Sequence, residues 1–177
     1  MASKQLLTII GSTGNQGGSV IDTVLALPQL SEKYALRGIT RDTSSAKSQA
    51  LAAKGVEMIS AQINDVESLK KAFEGSYGVF GVTDFWAVMS KDIEIQQGKN
   101  IFDAAKSAGV KHIVWSSLPN ATNMTEGKLQ HVDHFDSKAI VGDYIEANKG
   151  NMIASYFRPA MVSFVLEISP GLRPPNA

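Results

Sequence analysis

The 177-residue chain contains no cysteine. That one absence removes disulfides, thiolate nucleophiles and zinc thiolate sites, and leaves any redox response to a bound cofactor. A charge excess is missing as well, since 17 Lys and Arg are balanced by 17 Asp and Glu. No net field draws the chain to nucleic acid or to an anionic membrane, so a role in gene control would run through a protein partner such as a transcription factor. Long apolar runs are also lacking. The first, Leu6 to Ile10, is far too short for a signal peptide or a membrane span, and the Met-Ala start lacks the glycine that myristoylation needs. The expected location is cytoplasmic, with nuclear entry open. Proline is scarce until the end, where Pro170, Pro174 and Pro175 deny the backbone helical geometry and ladder bonds. Residues 1–160 are therefore expected to form one domain and residues 161–177 a poorly ordered tail.

What is present is organised around Leu6 to Val20. An apolar, β-favouring run leads into Gly11-Ser-Thr-Gly-Asn-Gln-Gly17, and a helical pattern at Val20, Ile21, Val24 and Leu25 follows. Strand, glycine turn and helix in that order form a site where backbone amides and the positive end of a helix meet a pyrophosphate. The spacing G-x-x-G-x-x-G differs from the usual G-x-G-x-x-G and lacks the Gly-Lys-Ser/Thr ending of a triphosphate loop. A tight βα turn without a ligand is the competing reading. If the ligand is there, Val at position 14 would fill the pyrophosphate space and resist a positive φ.

Strand and helix signals then alternate. Strands are expected at Leu6–Ile10, Tyr34–Thr40, Glu57–Ser60, Val79–Thr83, His112–Ser116 and Ile153–Phe157. Between them lie a helix ending near Pro28, one capped by Thr43 or Ser44 and closed by Gly55, and one over Val66–Glu74 capped by Asp65. Two more span Lys91–Ala108 and Asp133–Asn148. Six strands with five crossovers make a doubly wound parallel sheet, the α/β Rossmann fold.

Ligands of such sheets sit at the carboxyl ends of the strands. After the second strand comes Thr40-Arg41-Asp42, with Lys47 close behind. A guanidinium makes bidentate bonds to a 2′-phosphate, so NADP is read in preference to NAD, while Asp42 keeps NAD open and a solvated loop arginine is the alternative. Gln62 to Asp65 would lie near an adenine, although Asp65 serves equally as a plain helix cap. Thr83, Asp84, Phe85 and Trp86 place two aromatics beside a nicotinamide ribose or, on equal terms, over the top of the core. Lys99 follows Gly98 in mid-helix, where glycine costs about 1 kcal/mol against alanine and often marks a close approach. A surface charge is the other reading.

Together these stretches, with Gln97-Gly-Lys99, Trp115-Ser-Ser117, His134-Phe-Asp-Ser-Lys138 and Phe157-Arg-Pro159, occur in the order seen in NmrA-like proteins. The chain resembles their fungal members, an atypical branch of the short-chain dehydrogenase/reductase superfamily. The resemblance implies an NADP(H) site contacted by Gly11, Ser12, Thr13, Gly14, Asn15, Gln16, Arg41, Thr83, Asp84, Phe85, Lys99 and Lys138, with Gly17 completing the turn. It further implies either a redox or nicotinamide-pool sensor working through a partner, or an NADPH-dependent reductase of a small carbonyl or quinone.

The superfamily's Tyr-x-x-x-Lys acid does not occur anywhere in the sequence, and His134-Phe-Asp-Ser-Lys138 takes its place. His134 and Lys138 are therefore the candidate catalytic pair, against a helix that only positions cofactor. His131, Asp133, His134 and Asp136 lack the H-E-x-x-H pattern, and no metal is expected. Ser116 and Ser117 lack a G-x-S-x-G elbow, which argues against a hydrolase. Two departures from the family stand out. Gln62 replaces the usual acid after the third strand, and beyond Pro159 the sequence leaves the family's pattern and ends at Ala177. A truncated or differently spliced member without its substrate lobe is the expectation.

Overall fold

The computed structural model describes residues 3–159. In chain order the elements are β1 (Gln5–Ile9), α1 (Asn15–Ala26), α2 (Pro28–Ser31), β2 (Tyr34–Thr40), α3 (Ala46–Ala53), β3 (Glu57–Ser60) and α4 (Val66–Phe73). They continue as β4 (Ser76–Gly81), α5 (Phe85–Val88), α6 (Lys91–Ser107), β5 (His112–Ser116), α7 (Ala121–Met124), α8 (Asp133–Asn148) and β6 (Ile153–Phe157). The sheet is parallel throughout, in the order β3-β2-β1-β4-β5-β6. The expected Rossmann architecture is the observed one. The tail expected over 161–177 lies outside the described residues.

Alternation along the strands builds two cores. Ile9, Leu36 and Phe80 pack with Ile21 and Val24 of α1 and Leu51 of α3 on one face. Val79, Ile113 and Trp115 pack on the other with Phe73 of α4, Ile101 and Phe102 of α6, and Val141 and Ile145 of α8. Apolar residues buried on both faces are what a parallel sheet requires. The mid-helix Gly98 has its reason here. A Cβ at that position would lie 2.5 Å from Val141 Cγ2, so α6 and α8 meet at closer range than any other residue allows.

Boundaries moved where polar groups found partners the sequence does not advertise. β4 begins at Ser76 and not Val79, because the Ser76 hydroxyl meets that of Thr8 at 2.6 Å inside the sheet. It ends at Gly81, and Thr83 turns away toward α6 and α8. The cap of α3 passes from Thr43 or Ser44 to Ser45, because the Asp42 carboxylate accepts bonds from the Ser44 amide and hydroxyl and holds Ser44 in the preceding turn. Pro28 ends α1 as expected and, with its fixed φ, opens the short α2.

Candidate functional site

The glycine turn leaves β1 at the point where neighbouring strands run on in opposite directions, between β2 and β4. Gly11, not Gly14, carries the positive φ, +66°. Gly14 is the N-cap of α1 at φ −95° and ψ 177°, ordinary extended backbone, and it offers no side chain to the free amides behind it. No acid lies in the first turn of α1 either. Five helices differ: Ser45, Asp65, Asp84, Ser90 and Asn120 each accept a bond from an amide of the helix they begin. The short α2 and α8 lack a side-chain cap as α1 does, but α8 carries Asp133 and Asp136 in its first turn. An open, uncapped N-terminus beside a tight turn is where an anion gains most from backbone donors and the helix dipole. A pyrophosphate fits this cradle. The third glycine serves packing. A Cβ on Gly17 would stand 2.3 Å from the Gly11 carbonyl oxygen, whereas one on Gly14 would stand 3.3 Å from it.

The side chains of the turn divide their work. Ser12 is buried and donates to the Ile39 carbonyl at 2.8 Å, pinning the turn to β2. Gln16 accepts a 2.6 Å bond from the Ser116 hydroxyl, which ties the turn to the end of β5. Among the described residues the side chains of Thr13 and Asn15 make no hydrogen bond, and Asn15 is exposed at the mouth.

After β2 the structure separates the two competing residues. Asp42 is occupied by Ser44, whose hydroxyl and amide hold the carboxyl below its ordinary range. Arg41 and Lys47 are exposed, and neither side chain has a hydrogen-bond or ion-pair partner among the described residues. An unengaged guanidinium next to an occupied acid matches a phosphate more than a ribose diol. Beyond β3, Asp65 is the cap of α4, accepting from Glu67 and Ser68. Gln62 is exposed. Asn64 accepts a bond from Gln97 of α6.

The end of β4 is different in kind. Thr83, Glu94, Ser137 and Lys138 are all buried and bonded to one another. The Lys138 ammonium donates to the Thr83 carbonyl at 2.8 Å, to Thr83 Oγ1 at 2.9 Å and to Glu94 Oε1 at 2.5 Å. Thr83 Oγ1 also donates to Glu94 Oε1 at 2.7 Å, and the Ser137 hydroxyl donates to Glu94 Oε2. Lys138 Nζ thus has three acceptors within hydrogen-bond distance inside the cluster. Beside this cluster Asp84 caps α5, and Phe85, Trp86 and His134 form an aromatic group with ring centroids 5.2–5.8 Å apart. Trp86 is 67% exposed and His134 half-buried. His134 and Lys138 share a helix one turn apart, yet only His134 joins the rings of α5. Lys99 lies elsewhere, its ammonium 5.0 Å from the Tyr144 ring centroid between α6 and α8.

Around the start of α8, Asp136 accepts bonds from the Thr122 amide and hydroxyl and pairs with Lys91 at 3.3 Å. Asp133 pairs with the same lysine at 3.7 Å. Burial raises the Asp136 carboxyl, but the Thr122 bonds and the Lys91 charge outweigh it and bring it below its ordinary value. Among the described residues no three His, Asp or Glu side chains gather as a metal site, and no helix is long and apolar enough to cross a membrane.

Glu94, Ser137, Thr122 and Asp136 were not read as site residues in the sequence. Glu94 had a usable signal: it lies on the same helical face as Gly98 and Ile101, where a carboxylate demands a buried partner.

Comparison with known proteins follows this geometry. The NmrA-like family matches residues 3–167. An NmrA-like family domain-containing oxidoreductase of Malbranchea aurantiaca, malD, is 37% identical over 145 residues, which is 80% of this chain and 42% of that protein. The NADP(H) complex of the triphenylmethane reductase of Citrobacter sp. superposes with a TM-score of 0.72 at 26% identity, over 93% of this chain and 55% of the other. NmrA, a negative transcriptional regulator, superposes with a TM-score of 0.71 at 25% identity, over 87% and 45%. The chain thus spans about half the length, or less, of the proteins it matches.

Proposed function

The chain belongs to the NmrA-like family, and from that premise we propose that the crevice at the α1 N-terminus binds NADP(H) and that the bound state reports the nicotinamide pool to a protein partner, such as a transcription factor, in the cytoplasm or nucleus. The observation that carries the binding is the pairing of an uncapped α1 with an unengaged Arg41, while Asp42 is occupied by Ser44. The amides of Asn15 to Gly17 would meet the pyrophosphate, Arg41 and Lys47 the 2′-phosphate, and Phe85 with Trp86 the nicotinamide side. A reduced nicotinamide bound there supplies a hydride. The superfamily's usual donor for the proton that must accompany it is missing: Tyr-x-x-x-Lys does not occur in the sequence, and Lys138 already donates to three acceptors. Loss of a general acid typically lowers a rate 10²- to 10⁴-fold. That deficit supports a sensor over an efficient catalyst.

Calorimetry with NADPH, NADP, NAD and NADH tests the reading. NADP(H) should bind more tightly than NAD(H), and Gly14→Val should abolish binding without unfolding the protein, since φ −95° suits any residue. Unchanged binding by Gly14→Val would place the ligand elsewhere.

A second reading is an NADPH-dependent reductase of a small carbonyl or quinone, with His134 or solvent giving the proton. The packing of the His134 ring against Phe85 and Trp86, tilted by 50° and 41°, favours it, as do the reductase names among the relatives. Steady-state NADPH oxidation with quinones and aldehydes separates the two. Turnover near 1 s⁻¹, the low end of ordinary enzyme rates, that collapses in His134→Ala would replace the sensor with the enzyme.

A further inference from the structure

An arginine three residues before a hydroxyl residue is a charge pattern that basophilic protein kinases select, because the guanidinium pairs with acids of the kinase while the hydroxyl enters its active site. Arg-x-x-Ser/Thr occurs twice in the sequence, at Arg37-Gly-Ile-Thr40 and at Arg41-Asp-Thr-Ser44. The structure discards the first. Thr40 is half-buried within β2, and Arg37 is tied to Glu57 at 2.9 Å and to the carbonyls of Ala72 and Glu74 at 2.8 Å. Arg41 and Ser44 are both exposed in the turn between β2 and α3. No residue from Arg41 to Lys47 belongs to either apolar core, so the turn can enter another protein's cleft without unpacking the sheet. The neighbouring hydroxyls do not compete, since Ser45 caps α3, Ser48 is buried, and Thr43 has Thr40 where the arginine would be needed.

We propose that Ser44 is a phosphorylation site for an arginine-directed protein kinase, and that its phosphate competes with the 2′-phosphate of NADP(H) for Arg41. The competition rests on the reading that Arg41 and Lys47 hold that 2′-phosphate. The kinase brings ATP as the donor. The Ser44 oxygen forms a bond to the γ-phosphorus while the bond from that phosphorus to the β,γ-bridging oxygen breaks, ADP leaves, and the hydroxyl proton passes to the kinase's carboxylate. The product carries nearly two negative charges where the hydroxyl stands 2.6 Å from Asp42 Oδ1. Repulsion turns the phosphate away from the Asp42 carboxylate, while Arg41, Lys47 and the positive end of α3 attract it. A ligand's 2′-phosphate then meets an occupied guanidinium and a more negative turn. NAD(H) has no such phosphate and loses little, so the modification changes cofactor preference and leaves the crevice in place.

The experiment treats the purified chain with a basophilic kinase that selects arginine three residues before the acceptor, together with magnesium ATP. Peptide mass spectrometry locates the phosphate, and calorimetry compares NADP and NAD on treated and untreated protein. Phosphate should appear on Ser44, be absent at that position from Ser44→Ala, and fall sharply in Arg41→Ala, which removes the element the kinase reads. NADP should bind the phosphorylated chain about tenfold more weakly or worse, the loss of one charge-assisted phosphate contact, while NAD changes by less than about threefold and so reports an intact fold. Saturating NADP should in turn shield Ser44 from the kinase, since both need Arg41, and NAD should shield it less. Absence of phosphate from Ser44, whatever happens at other residues, overturns the modification site. Phosphorylated Ser44 with an unchanged ratio of NADP to NAD affinity overturns the competition. Failure of the untreated chain to bind either dinucleotide refutes the cofactor reading and the competition with it. That outcome is distinct from failure of the proposal alone, in which the untreated chain binds NADP and the phosphorylated chain binds it equally well.

Discussion

The loops after β1 and β4 leave the same edge of the sheet from adjacent strands, but they treat their polar groups in opposite ways. After β1, the amides of α1 have no side-chain cap, and the Arg41 side chain nearby has no partner among the described residues. After β4, Thr83, Glu94, Ser137 and Lys138 satisfy one another completely, and no buried side-chain donor or acceptor among the described residues lacks a partner. The first loop is half of an interaction; the second is a finished one. Polar groups left open at the surface are free to exchange water for a ligand, while a closed buried network gives rigidity and resists rearrangement. The cofactor's charged end is thus expected to be held by the open half and its nicotinamide end to be located by the closed half.

The most forceful way to break this contrast is Glu94→Ala. It strands the Lys138 charge in the interior and should cost about 3 to 5 kcal/mol, read as a lower urea midpoint. A loss under about 1 kcal/mol, the range of exposed ion pairs, would mean the cluster is wet and the two halves are alike. On the open side, Arg41→Ala should leave the melt unmoved. It should weaken NADP by about 1.5 to 3 kcal/mol, roughly ten- to hundredfold, with NAD unaffected. Equal loss for both cofactors would remove the 2′-phosphate assignment. A smaller effect calibrates what an ordinary cap is worth at this same edge. Asp65→Ala removes the acceptor for Glu67 and Ser68 and should lower stability by about 1 kcal/mol without changing cofactor affinity.

The smallest effect belongs to acid pH. The folded Asp136 carboxyl lies below its ordinary value of 3.8, so it contributes stability above that value, which is lost as pH falls through it toward the folded one. Denaturant midpoints measured from pH 6 downward should decline less steeply in Asp136→Asn than in the wild type. Parallel curves would show that the tether to Thr122 and Lys91 is not ionic.

The open half was the more legible in the sequence, and for a physical reason. A glycine turn between an apolar strand and an amphipathic helix is local, and so is an arginine just past a strand; both are written within a few residues. The Gly98 close approach was legible too, since a mid-helix glycine needs an explanation. The closed half depends on pairs far apart in sequence. Glu94 meets Lys138 44 residues away, and although its helical face signals burial, nothing local names the partner. The shift of the α3 cap to Ser45 was hidden for a related reason, because three successive hydroxyl residues offer equivalent caps until Asp42 selects among them. Lys138 was legible as important, but not that its protons would be taken by Thr83 and Glu94.

The strand order carries one more consequence, for synthesis. β1 lies in the middle of the sheet with β2 on one side and β4 on the other. The first flank, β1 with β2 and β3, is complete once Ser60 has emerged, but the other edge of β1 then shows a row of unpaired amides and carbonyls until β4 arrives through Gly81. At bacterial or eukaryotic elongation rates that interval lasts about one to four seconds. During it the nascent chain presents a central strand as an open edge, the feature that invites pairing with another chain. The glycine turn sits at the end of that strand, so the proposed cofactor cradle and this association-prone edge are exposed together.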